Sequence, residues 1–246
     1  MDAATALALA GAGVATGFVN AVAGGGSSVS LPVLEWTTGS PGLANATNRV
    51  AILFQNAAAA AAFQTGRRVP WRLALLLVPP MVLGSAAGAW AAARLDAGAM
   101  RVALVLGVLF AAAAALLPQP RTARLKPPVR EAAFFLCGAY AGFLQVGVGF
   151  ALLACLAGGL GLDLVRANAA KVTIVLFAMV PAVAIFLLEG LVVWDAALVL
   201  SAGNMGGAWV AARLAIHKGE RWIRFVVAGA AVAAAVKLLV FPSGPR

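Results

Sequence analysis

The sequence predicts an all-α polytopic membrane protein, and three observations predict it. Of the 246 residues, 63% are hydrophobic and 11% charged, with a mean hydropathy of +0.98; a soluble domain is about half apolar and about a quarter charged. The apolar residues, mostly Leu, Val and Ala, fall in runs near the roughly 20 residues a helix needs to span a bilayer, whereas a barrel would show short alternating segments. The order of features in the first half of the chain also returns in the second.

Ala3–Ala23 is long enough for a first span and has no positively charged leader of the kind a cleaved signal peptide carries, so it reads as the first membrane segment. It runs into GFVNAVAGGGSSVSLP, Gly17 to Pro32, which breaks every rule for a continuous helix. Gly24, Gly25 and Gly26 each cost about 1 kcal/mol of helix stability against alanine, and Pro32 removes a backbone donor. Ser27–Trp36 is then too short to cross by itself. Leu43–Phe63 is a span with an unusual polar set: Asn45, Thr47, Asn48, Arg49, Gln55 and Asn56. After a basic turn come Trp71–Ala93 and Ala99–Leu117. The linker PQPRTARLKPPVRE, Pro118 to Glu131, is the one long hydrophilic stretch. Ala132–Phe143 is interrupted at LQVGVGF, Leu144 to Phe150, and resumes to Leu160. Val165–Leu188, Val192–Leu214 and Trp222–Phe241 follow.

The halves correspond in detail. Gly84–Leu95 and Gly203–Leu214 agree at 8 of 12 positions, and ANATNR at Ala44–Arg49 echoes ANAAKV at Ala167–Val172. Gly17, Phe18 and Asn20 match Gly142, Phe143 and Gln145; Gly66 and Trp71 match Gly190 and Trp194. Internal duplication is common in secondary transporters. The chain accordingly divides into a first membrane repeat over 1–117, a cytoplasmic linker over 118–131 and a second repeat over 132–246.

Charge decides how the repeats are oriented. Arg67, Arg68 and Arg72, then Arg121, Arg124, Lys126 and Arg130, then Arg213, Lys218, Arg221 and Arg224 mark three connections as cytoplasmic, while the loop around Gly190 has only Glu189 and Asp195. Four crossings per half place two of these loops on the wrong side. If each glycine-broken stretch enters and returns, all four fall correctly, with both termini outside and Arg94 and Arg101 as exceptions. The expected fold is therefore two inverted repeats, each a broken or re-entrant helical hairpin plus three transmembrane helices.

Non-helical backbone at membrane depth persists only where protein or a water-filled cavity satisfies it. Such breaks build transporter sites near the midplane, although the same glycines also suit a close helix crossing. In the inverted arrangement the tips, Gly24, Gly25, Gly26, Ser27 and Ser28 on one side and Gln145, Gly147 and Gly149 on the other, approach each other. The returning half-helices would aim amide hydrogens at an anion. Asn20, Asn45, Asn48 and Asn168 add polar side chains, and Arg49 and Lys171 sit at matching places in the repeat. A cation there costs about 2.5 to 3.5 kcal/mol on insertion scales and is usually functional, although snorkelling from a helix end is the ordinary alternative. Donors and positive charge with no facing carboxylate favour a small anion.

The remaining residues exclude other classes. Asp and Glu lie at helix ends or in loops, with Glu35 alone close to a pathway, so no mid-helix carboxylate carries protons. Cys137 and Cys155 have no metal or disulfide spacing, and His217 reads as a loop residue. No catalytic residue, metal or cofactor is expected, and the net charge of +10 serves topology rather than nucleic acid, since no soluble segment is long enough for a nucleic-acid domain. Gly84/Gly88 and Gly203/Gly207 read as helix packing, Trp90 and Trp209 as packing or interface anchors, and Asn204 as site lining or interhelical glue.

Taken in order, GFVNAVAGGGSSVSLPVL, ANATNRVAILFQN and GRRVPWRLALLLVPPMVLGSAAGAW, then YAGFLQVGVGF, LVRANAAKVTIV, FLLEGLVVWDAALVLSAGN and GGAWVAARL, resemble the TauE/SafE family of membrane permeases across essentially the whole chain. The resemblance implies a permease for sulfite or small organosulfonates, usually an exporter, in the bacterial plasma membrane. Leu144-Gln145-Val146 departs from the smaller, glycine-rich stretch often found there. The expected partners are the small anionic substrate and the lipid bilayer, with a homo-oligomer left open. An anion channel using the same broken helices is the alternative.

Overall fold

Asp2 starts the chain's first helix: its carboxylate accepts the Thr5 amide at 2.7 Å, which holds the carboxyl below its usual range. The computed structural model describes residues 1–116 and 125–240, so the first half of the linker expected over 118–131, and Leu117 and Phe241 at the ends of two expected spans, lie outside the described residues. Every regular element among the described residues is helical. α1 (Ala3–Val22) stops at the glycine run, and α2 (Ser27–Thr38) ends on left-handed Gly39. α3 (Pro41–Thr65) opens with Pro41 in its first turn and is followed by α4 (Trp71–Ala92) and α5 (Ala97–Leu116). α6 (Val129–Phe143) begins inside the expected linker and breaks at Leu144. α7 (Val148–Leu153) continues into a π-helical turn, Ala154–Gly159. α8 (Leu164–Leu188) is capped by Asp163.

α9 (Trp194–Val240) corrects one expectation. The stretch around His217 is helical, not a loop, because a single glycine, Gly219 at φ 73° and ψ −165°, makes the whole turn. His217, Lys218 and Glu220 lie in helix around it, and His217 Nδ1 lies 2.7 Å from the Arg213 carbonyl. Cys137 and Cys155 are free thiols, both half-buried against the same apolar cluster.

Glycine ladders dock the elements. On α1, Gly13 and Gly17 face Leu200 and Asn204 of α9; Gly203 and Gly207 of α9 face Ala10 and Val14 of α1. Between α4 and α6 the pattern repeats: Gly84 and Gly88 face Phe135 and Ala139, and Gly138 and Gly142 face Met81 and Ser85. A Cβ at any of these eight positions would overlap the opposing backbone, so the helices touch main chain to main chain. The first helix of each broken pair is thus seated on a glycine face supplied by the other half.

The contacts sort the connections to two ends. At one, Thr37, Val193 and Asp195 share a cavity of about 430 Å³, Glu35 pairs with Arg101 at 3.1 Å, and Arg94 lies 3.9 Å from Glu189. Glu35 therefore belongs to a rim ion pair and not to a pathway between the tips. Arg94 and Arg101, the two expected exceptions to the charge rule, each have a carboxylate partner. At the other end Arg213 donates to Thr65 Oγ1 at 2.8 Å, Gly66 abuts Ile216, and Phe63, Val165 and Ala212 share a core. α3 and α8 run antiparallel, since Val193, just past α8, donates to Thr47 near the start of α3.

α1, α4 and α8 are long and apolar enough to cross a membrane. α3 is as long as α8 but carries its polar residues on buried faces: Asn45, Thr47, Asn48, Arg49, Gln55 and Asn56 are all buried. Leu75, Leu83, Leu106, Leu136 and Leu188 point outward instead, as lipid-facing side chains do. Trp90 and Trp209 are exposed, with Arg94 4.0 Å above the Trp90 ring and Arg213 5.8 Å from that of Trp209, as the interface-anchor expectation requires.

Candidate functional site

Glycine sets the geometry of the first break. Gly24 adopts φ +114°, a conformation L side chains rarely reach, and its amide still bonds the Val19 carbonyl at 3.1 Å. The chain then folds back on α1: Gly26 N–H donates to Asn20 Oδ1 at 2.7 Å, and Thr16 Oγ1 donates to the Gly26 carbonyl at 3.1 Å. The Ser28 hydroxyl and amide both bond the Gly25 carbonyl, at 2.8 and 3.2 Å. The amide hydrogens expected to face a guest are thus largely engaged within the hairpin.

The second break uses different chemistry for the same bend. Gln145 at φ 66° and Gly147 at φ 77° take the left-handed positions. Tyr140 closes the loop by donating to the Val146 carbonyl at 2.7 Å. Gly147 packs on Ala111 of α5, where no side chain would fit.

The two breaks meet. Gly24 and Gly149 touch through their backbones, and Gly25 lies against the Phe150 ring. Beside this contact is a cavity of about 20 Å³ whose polar lining is Asn20, Gln55, Asn56, Gln145 and Lys171, with Val148 and Val175. That volume holds about one water. Of the residues expected from sequence, Asn20, Gly24, Gln145, Gly149 and Lys171 line it. Gln55 and Asn56 were legible only as polar residues; each lies two helical turns beyond Asn48 or Arg49 on the same face of α3.

Asn45, Asn48, Arg49 and Asn168 lie around this cavity without lining it. Lys171 Nζ donates to Asn168 Oδ1 at 2.7 Å, to Asn20 O at 2.9 Å and to Ala21 O at 3.4 Å. Arg49 is fully buried; Nη2 donates to Asn45 Oδ1 at 2.8 Å, while Nε and Nη1 have no protein partner. Asn45 in turn donates to the Phe143 carbonyl at the end of α6, at 3.0 Å. Asn48 accepts from Ser30 at 2.9 Å, and its Nδ2 and the Ser27 hydroxyl are buried without a partner. Neither buried cation has an ion-pair partner among the described residues.

The equivalence of Arg49 and Lys171 needs correcting. With Ala44 set on Ala167, Asn45 falls on Asn168 and Asn48 on Lys171, so Arg49 is one residue further on. One residue turns a helix by about 100°. Lys171 therefore faces the gap between the tips, whereas Arg49 reaches beside Asn45 toward the end of α6.

The family model for the sulfite exporter TauE/SafE matches residues 9–238. The chain is 29% identical over 223 residues to a "probable membrane transporter protein" of Haemophilus influenzae, covering 87% of each. It is 28% identical to "probable membrane transporter protein ORF9" of a Sinorhizobium species, over 93% of this chain and 90% of that one. It is 25% identical to "probable membrane transporter protein YfcA" of Escherichia coli K12, over 91% and 85%. No solved structure matches the chain. With helices that suit a bilayer, a polar core built around two helix breaks, a family model matched over residues 9–238 and relatives named probable membrane transporter proteins over most of their lengths, the chain belongs to the TauE/SafE sulfite exporter family.

Proposed function

We propose that the chain is a secondary transporter of a small anion, sulfite or an organosulfonate, and that it exports the anion by alternating access across the bacterial plasma membrane. The observation that carries this is a pair of buried cations, Arg49 and Lys171, flanking two touching helix breaks with no carboxylate paired to either among the described residues. Burying a charge without a counter-ion is costly, and ionisable residues at membrane depth commonly mark a substrate or ion path, which supports a ligand of opposite sign here. Arg49 Nε and Nη1, Asn48 Nδ2 and the Ser27 hydroxyl are buried donors still without partners. The family name supplies sulfite; the three bacterial relatives support the membrane.

In this reading the chain comprises two inverted repeats, 1–117 and 132–246, joined by a cytoplasmic linker. The sorting of connections to two ends and the antiparallel course of α3 and α8 favour inversion. The tips close on a cavity of about 20 Å³, which favours a carrier over an open pore. Binding would then involve Asn20, Gly24, Gly25, Gly26, Ser27, Ser28, Asn45, Asn48, Arg49, Gln145, Gly147, Gly149, Asn168 and Lys171.

The test is counterflow in liposomes with sulfite, sulfate, thiosulfate and sulfoacetate, for the parent and for Arg49→Ala and Lys171→Ala. Saturable counterflow that either substitution weakens is expected. Flux far above carrier turnover points to the channel, and unchanged anion affinity and rate in both variants rejects the site.

A further inference from the structure

Among the described residues, Lys171 is the only charged one lining the cavity between the tips. An ammonium has three hydrogens, and three oxygens surround this one. Asn168 belongs to its own helix. The other two oxygens are the Asn20 and Ala21 carbonyls in the last turn of α1, where a helix leaves carbonyls unpaired and carries the negative end of its dipole. Lys171 thus caps a helix that belongs to the opposite half of the chain, across the cavity.

The cavity of about 20 Å³ has no room for a sulfur oxyanion, so a tip must move before one enters. Charge-assisted bonds to an oxyanion are roughly twice as strong as bonds in which neither partner is charged, and an anion is a better acceptor for an ammonium than a neutral carbonyl. We propose that Lys171 is an anion-operated latch: an oxyanion reaching the cavity takes the ammonium hydrogens from the Asn20 and Ala21 carbonyls and releases the α1–α2 hairpin. The proposal rests on the anion-transport reading and deepens it. The tie to the end of α6 in the other half differs: a neutral amide of Asn45 donates to the Phe143 carbonyl, and Arg49 bonds Asn45 rather than the carbonyl.

Val175→Cys, in a chain whose Cys137 and Cys155 are alanine, reports the opening: Val175 lines the cavity and is 3% exposed. A small water-soluble thiosulfonate labels it only when the tips part. With sulfoacetate or sulfate, but not chloride at equal ionic strength, the labelling rate is expected to rise by about tenfold. Lys171→Gln removes the latch and is expected to give the high rate with or without the anion. Lys171→Arg keeps the charge and the anion response at a shifted half-saturating concentration. Asn168→Ala leaves charge and carbonyls in place, frees one ammonium hydrogen and lowers the concentration needed; it decides the matter if Lys171→Gln does not fold. An anion-dependent rise that survives in Lys171→Gln, or no anion response in Asn168→Ala, overturns the latch. A parent that transports sulfoacetate with no change in labelling overturns the latch alone. A parent that neither transports nor responds to any of these anions overturns the anion reading and the latch with it.

Discussion

Gly24 and Gly149 touch backbone to backbone at the point where both hairpins break, so each excludes a side chain from the other. Gly24→Ala suffers twice, because its φ of +114° is also strained for any L residue. Left-handed backbone costs about 1–2 kcal/mol and overpacking typically about 1–3 kcal/mol. Gly24→Ala and Gly149→Ala are expected to lower the thermal midpoint in detergent and to abolish counterflow. Gly11→Ala and Gly206→Ala, where a Cβ meets nothing within 4 Å, serve as controls and are expected to be neutral or slightly stabilising. Equal losses at all four positions would contradict the tip contact.

Arg49 and Asn45 are bonded to each other yet predict different phenotypes. Arg49→Gln removes a buried cation with two donors free for a ligand. Hydrogen bonds to charged groups are worth about 1.5–3 kcal/mol, so a rise in KM of about tenfold or more is expected, with a small change in melting temperature. Asn45→Ala cuts the tie to the Phe143 carbonyl. It is expected to destabilise the protein by about 1 kcal/mol while KM in the folded fraction changes less than in Arg49→Gln. Transport assays paired with thermal unfolding separate the two, and a reversed pattern would reassign both residues.

How much of this was readable beforehand depends on whether a residue acts through local or distant chemistry. The helix breaks were legible because three consecutive glycines, and Gly147 with Gly149 in LQVGVGF, disfavour a helix whatever surrounds them. The helices themselves were legible by length and apolarity. The pairing of helices was less so: small-xxx-small spacing marks Gly84 and Gly88 as a contact face but does not name Phe135 and Ala139 as what they face. Of the polar residues expected, Asn20, Gln145 and Lys171 line the cavity, while the bonds they make were not legible. Sequence gives the donors on Gly26 and Lys171; only the fold shows Asn20 taking the first with its side chain and the second with its carbonyl. The offset between Arg49 and Lys171 was present in the ANATNR and ANAAKV alignment, and becomes consequential once a single residue is seen to turn the side chain away from the cavity.

Asn204 and Ser85 occupy matching positions in the glycine ladders, and both are buried with side-chain polar atoms unpaired: both amide atoms of Asn204 and the Ser85 hydroxyl. Each such group costs about 1–3 kcal/mol. Asn204→Ser imports the smaller residue of the first half into the second and removes one unpaired polar atom. Its expected effect is a melting temperature equal to or above the parent's. A strongly destabilised Asn204→Ser would mean that the amide is held by a partner and that the ladder between α1 and α9 is not the static packing described above.

The orientation of the repeats is open to direct labelling, because the two ends of the bundle carry different residues. Inversion puts Thr37, with Val193 and Asp195 near it, outside, and Thr65, bonded to Arg213, inside. Single cysteines at Thr37 and Thr65, in the chain lacking Cys137 and Cys155, are therefore expected to behave oppositely in intact cells. A membrane-impermeant maleimide should modify Thr37→Cys directly and Thr65→Cys only after permeabilisation. In the inverted arrangement the basic residues Arg67, Arg68 and Lys218 would follow Thr65 to the cytoplasmic side, as loops rich in Lys and Arg do. Parallel repeats of four crossings each move the Gly190 loop to the inside and the Lys218 loop to the outside. A cysteine at Gly190, where a Cβ meets nothing within 4 Å although the φ of +67° strains an L residue, then decides between the arrangements: labelling from outside supports inversion, and protection until permeabilisation rejects it.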